Sequence, residues 1–86
     1  MRIIGLDIHR VFAEAVALDN GELRRLGRIG MTRNHLEAFA RALCLTDHVV
    51  VEATSNATAV TEILAPYVAR VAVANPLQVH LIAKAK

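Results

Sequence analysis

Three consecutive valines, Val49-Val50-Val51, sit between two segments whose apolar residues recur at helical spacing, and this pattern narrows the fold more than any other feature. Successive side chains of a strand point to opposite faces, so a β-branched triplet asks for cover on both sides, as at the centre of a parallel sheet. The spacing predicts a buried strand over residues 48–53 that carries Glu52 at its end. Before it, Leu36, Phe39, Ala40 and Leu43 fall at i, i+3, i+4 and i+7, with Thr32 or Asn34 as N-cap and Glu37 in the first turn. After it, Val60, Ile63, Leu64 and Tyr67 repeat that spacing from about Asn56, and Pro66 closes or kinks the last turn.

The N-terminal third has a different period. Apolar runs over residues 2–8 and 12–18 are followed by Asp19-Asn20-Gly21, a strong turn signal, and together with residues 23–29 they predict a meander of three antiparallel strands. Arg24, Arg25 and Arg28 on the third strand suit a solvent-facing edge, where charge discourages further pairing. Residues 70–74 read as a further short strand. Asn75-Pro76 then supplies an N-cap and a first-turn proline for a third helix marked by Leu77, Leu81, Ile82 and Ala85. The predicted order is β-β-β-α-β-α-β-α in one α/β domain, with right-handed crossovers between parallel strands. Because no capping glycine follows Leu81-Ile82, residues 1–86 are expected to be the front part of a larger fold.

Composition sets the outer bounds. The 55% hydrophobic content excludes disorder, and the 3% aromatic content makes the core aliphatic. A chain of this size hides only about 60 to 65% of its unfolded surface. The single Cys44 permits neither an internal disulfide nor a thiolate zinc site, and is expected to be a small buried hydrophobe in a reducing compartment. With no apolar run near ~18 residues and no leader pattern, the expected location is cytoplasmic, without membrane insertion. Ten basic against eight acidic residues give a net charge of +2, too small by itself to argue for nucleic acid.

Three antiparallel strands followed by two parallel ones is the order of the ribonuclease H-like mixed sheet, shared by retroviral integrases, Holliday-junction resolvases and actin-like sugar kinases. In open α/β sheets the functional crevice lies beyond the carboxyl ends of the parallel strands. Asp7 and Glu52 both fall there, each interrupting a run that otherwise reads as core. Two carboxylates on adjacent strands are the beginning of a magnesium or manganese site. The plainer alternative is that each acid ends its strand in water.

Gly5-Leu6-Asp7-Ile8-His9, Val51-Glu52-Ala53-Thr54, Asn75-Pro76-Leu77-Gln78-Val79 and Ala83-Lys84-Ala85 resemble, in order and spacing, the N-terminal domain of RuvC-like DEDD transposases of the insertion-sequence one-ten family. The resemblance covers essentially the whole chain. It implies that Asp7 and Glu52 are the first two of four acids that hold two Mg2+ or Mn2+ ions for DNA strand cleavage and transfer. The other two acids are expected on the helix after the Asn-Pro-Leu-Gln block, beyond Lys86. The family's C-terminal domain carries a nucleophilic serine, and a structured guide RNA chooses its DNA sites. Two departures stand out: Arg10-Val11-Phe12 is mostly apolar where the family has a polar turn, and Ser55 replaces the usual glycine.

His9 and Arg10 in the first hairpin, and Lys84 and Lys86 beside the expected site, are the DNA-contact candidates, although a solvated turn histidine is the commoner role for His9. His35, His48 and His80 have no closely spaced partner that would make a histidine metal site. Arg24, Arg25 and Arg28 rank below Lys84 and Lys86, since an edge-strand charge run is usually only solvated. Two other readings remain open. An actin-like small-molecule kinase needs a Gly/Thr-rich first hairpin, and His9-Arg10-Val11-Phe12 stands there instead. A transposon remnant would keep the fold only to dimerise. Leu77, Leu81 and Ile82 on the third helix predict a homo-oligomer in any case.

Overall fold

The computed structural model describes residues 2–52 and 56–74. Its elements are β1 (Arg2–Ile8), β2 (Phe12–Asp19), β3 (Glu22–Gly30), α1 (Arg33–Arg41), β4 (His48–Glu52), α2 (Ala57–Leu64), a 3₁₀ turn (Ala65–Tyr67) and β5 (Arg70–Ala74). Among the described residues the strands form one sheet in the order β3-β2-β1-β4-β5. β1, β2 and β3 pair antiparallel, whereas β4 lies parallel to β1 and β5 parallel to β4. This is an α/β domain with a mixed sheet, compatible with a ribonuclease H-like arrangement. The expected third helix, with Leu77, Leu81 and Ile82, lies outside the described residues, as do Ala53, Ser55 and His80.

Local chemistry explains the element ends. Asn20 and Gly21, at φ 52° and 80°, form the two-residue link between β2 and β3. Positive φ at both central residues is what the twist of a tight hairpin requires, and Asn-Gly supplies it at least cost. Thr32 caps α1: its hydroxyl accepts from the backbone N–H of His35 at 3.3 Å. At α2, Pro66 falls in the 3₁₀ turn that follows, consistent with proline's inability to continue the α-helical bond pattern.

Alternation then builds the core. Ile4, Leu6 and Ile8 from β1, Ala13, Ala15 and Ala17 from β2, and Val49 and Val51 from β4 share one face with Leu36 and Ala40 of α1 and Val60 and Leu64 of α2. Fully burying a valine, leucine or isoleucine side chain contributes about 1.5–3 kcal/mol. The valine triplet behaves differently from expectation in one respect. Val49 and Val51 are fully buried, but Val50 is only half-buried, because both described helices pack on the opposite face of the sheet.

Cys44 also departs from expectation. It is exposed in the turn between α1 and β4, where its backbone N–H donates to Asp47 Oδ2 at 2.8 Å. Asp47 itself is only 1% exposed. The Arg2 guanidinium grips it in a fork, Nε to Oδ1 at 3.1 Å and Nη2 to Oδ2 at 2.7 Å, and the Asp47 carbonyl accepts from Ala69 N–H at 2.9 Å. One residue, through its carboxylate and its backbone carbonyl, thus ties the start of β1 to the turns entering β4 and β5.

Candidate active site

Asp7 and Glu52 owe their relation to strand register. β1 and β4 pair with a constant offset, from Ile3 beside His48 to Leu6 beside Val51, and Asp7 and Glu52 are the residues that next follow on the two strands. Parallel neighbours at equal register point to the same face, about 4.8 Å apart between strands. Asp7 keeps 27% of its side chain exposed, while Glu52 is 9% exposed. Each acid therefore directly follows the last residue that its strand contributes to the β1–β4 ladder, at the carboxyl ends of two central parallel strands.

The row continues into the antiparallel half. Asp7 lies directly opposite Glu14 on β2, and Glu14 lies directly opposite Arg28 on β3. Like charges directly opposite each other disfavour the pairing. Cationic and aromatic groups gather around them. His9 Nε2 lies 3.3 Å from Asp7 Oδ2 and 3.9 Å from Glu14 Oε1, and Arg28 Nη2 lies 4.0 Å from Glu14 Oε1. The imidazole of His9 stacks on the Phe12 ring at 4.6 Å and 24°, and the Arg28 guanidinium carbon sits 4.2 Å from the centre of the same ring.

His9 does reach Asp7, but from the turn after β1 rather than from the strand itself. Its backbone N–H donates to Phe12 O at 2.8 Å, which closes the hairpin. Arg10 and Val11 in that hairpin are exposed, so the apolar turn residue Val11 simply faces solvent. His35 is engaged with Thr32, Nδ1 to Oγ1 at 2.6 Å, remote in sequence from the carboxylates. Lys84 and Lys86 lie outside the described residues.

Glu14 and Phe12 were not singled out by sequence reasoning. The alternation of Ala13, Ala15 and Ala17 put Glu14 on the face away from the helices, and only register put it against Asp7. Concavities near Arg2, Asp19 and Arg24, and near Ile3, His48 and Arg70, lie towards the other end of β1 and β4. Ionisable groups converge instead at the carboxylate row, where His9 and Arg28 lie close to Asp7 and Glu14.

The donor set has the character of a divalent-cation site: carboxylate oxygens are the hard ligands that magnesium and manganese prefer. Among the described residues, no group of three or more Asp, Glu, His or Cys side chains is arranged to hold an ion. Asp7 and Glu52 contribute two carboxylates of that chemical type and do not by themselves make a complete ligand set. No described helix is long and apolar enough to cross a membrane. Comparison with known protein families gives no match, and comparison with curated proteins gives none either.

Proposed function

We propose that this chain is the N-terminal part of a ribonuclease H-like, RuvC-like DNA transposase domain, of the insertion-sequence one-ten type, acting in metal-dependent DNA strand cleavage and transfer. The observation that carries this reading is that Asp7 and Glu52 each follow directly on the last pair, Leu6 and Val51, of the parallel β1–β4 ladder, at the carboxyl ends of both strands. In open α/β sheets that is where ligands bind. Asp7 and Glu52 would hold Mg2+ or Mn2+, with two further carboxylates supplied from a following helix. When bound, such ions activate the attacking oxygen and stabilise the leaving oxygen of a phosphodiester.

The chain's own residues prepare the position. β1 and β4, held in register by their ladder, fix the two carboxylates on one face before any ligand arrives. His9 lies against Asp7 and orients it, and its stack on Phe12 keeps the imidazole in place. A guide RNA and assembly as a homo-oligomer belong to the same proposal. The kinase alternative is disfavoured by the first hairpin, whose tight closure through His9 and exposed Arg10 and Val11 offers no glycine-rich cradle for nucleotide phosphates.

The test uses the protein carrying all four acids. Asp7→Asn and Glu52→Gln each reduce DNA cleavage to background while circular dichroism shows an unchanged fold, since both swaps keep shape and remove the charge that binds the cation. Full activity in a folded Glu52→Gln protein would overturn the assignment.

A further inference from the structure

The β2–β3 ladder is interrupted once. Phe12 to Ala15 pair with Gly30 to Gly27, but Val16 pairs with Arg25, so Leu26 is an extra residue on β3. In an uninterrupted continuation of the Val16–Arg25 register, Glu14 would face Gly27 and Arg28 would face Ala13, on the helix-covered side. The bulge instead sets Arg28 opposite Glu14, on the face that carries Asp7 and Glu52 and that Arg25, opposite Val16, already shares. Arg24, opposite Ala17, is left on the other face. Gly27 takes up the distortion at φ 100°, and a Cβ built there would meet nothing within 4 Å. This glycine therefore serves backbone conformation rather than space. Bulges re-aim side chains, and they are over-represented beside active sites.

Edge protection does not account for this device, because charges protect an edge on either face. Arg28 is moreover pre-ordered over Phe12, at 4.2 Å, yet its side chain remains 69% exposed. Its nearest carboxylate, Glu14 at 4.0 Å, is beyond hydrogen-bond distance, so the guanidinium donors stay available. Arg25 is exposed and has no ion-pair partner among the described residues. The two arginines are two register steps apart, about 7 Å, and Arg28 is two strand spacings, about 10 Å, from Asp7.

We propose that Arg25 and Arg28 form a phosphate-binding track that holds a DNA strand beside the Asp7–Glu52 pair. This rests on the reading of that pair as a phosphodiester site. A guanidinium fork presents paired donors to phosphate oxygens, and stacking on an aromatic ring lowers the entropy lost when it does so. The spacing lets the arginines hold phosphates that flank the one at the carboxylates.

The test is fluorescence anisotropy of a labelled DNA duplex with the 86-residue chain in EDTA, over a series of salt concentrations. Arg25→Ala and Arg28→Ala should each weaken binding several-fold and lower the slope of log affinity against log salt by about 0.9, the value for one phosphate contact. Phe12→Leu should weaken binding with the slope retained, because the charge stays but is no longer pre-ordered. Arg24→Ala, on the other face, should change neither. Equal losses from Arg24→Ala, no loss from Arg25→Ala and Arg28→Ala, or binding of RNA but not DNA would each overturn the proposal. Because EDTA removes the cation, Asp7→Asn should not weaken this binding. A failed arginine track and a failed metal site therefore give different results.

Discussion

Removing the Asp47 carboxylate is the sharpest test of how this small sheet is held. Hydrogen bonds to charged groups contribute about 1.5–3 kcal/mol, but the Arg2 side chain is 27% exposed, so solvent screens part of the ion pair. Asp47→Ala also leaves the Cys44 N–H without its carboxylate acceptor, about 1 kcal/mol more. The expected cost is about 2–4 kcal/mol, against a total stability of about 4–13 kcal/mol for a domain of this length. Urea unfolding followed by far-ultraviolet circular dichroism measures it, and heating should show a midpoint lower by roughly 10–25 °C. Acid adds a second signature. The Arg2 bond, followed by the Cys44 amide, holds the Asp47 carboxyl below its ordinary value despite burial. Its contribution is therefore complete above the unfolded value near ~4 and is lost as pH falls through the lower folded value. In Arg2→Ala, burial is no longer opposed by the guanidinium, so the loss begins at higher pH. A double-mutant coupling between Arg2 and Asp47 below about 0.5 kcal/mol would refute the reasoning.

Two other outcomes follow from the same geometry. Gly27→Ala should cost about 1 kcal/mol or more in urea unfolding, wholly from backbone strain at φ 100°, and a neutral result would mean that the bulge does not need glycine. The chain alone should not cleave DNA with magnesium or manganese, since Asp7 and Glu52 cannot by themselves hold two ions in line. A gel assay showing cleavage that Asp7→Ala removes would contradict this.

Strand and helix positions were legible because their signals are local. Asn20-Gly21 forces a hairpin wherever it sits between apolar runs, and Thr32 needs only the N–H of His35 to cap a helix. Register is not local. That Glu14 meets Asp7 depends on a three-residue hairpin loop, and that Arg28 joins their face depends on one extra residue at Leu26. Gly27 inside a strand pattern was the available signal for the bulge. Asp47 escaped notice because its burial depends on Arg2, 45 positions away in sequence. The same carboxylate accepts from the Cys44 amide in a surface turn, and the thiol expected in the core lies in that turn instead.

The Arg2–Asp47 pair and the Asp7–Glu52 pair stand at opposite ends of one parallel ladder. The ladder runs from Ile3 beside His48 to Leu6 beside Val51; Arg2 and Asp47 immediately precede it in sequence, and Asp7 and Glu52 immediately follow it. A slip of one residue would send one carboxylate of the site to the other face, and Val49 and Val51 out of the core. The open end of the sheet carries acids on three adjacent strands, whose mutual repulsion works against this register even with His9 and Arg28 beside them. The far end and the buried valines hold the register against that repulsion. Loosening Arg2 from Asp47 should therefore disturb the alignment of Asp7 with Glu52 as well as weaken the fold, although no atom of the clamp belongs to the carboxylate row.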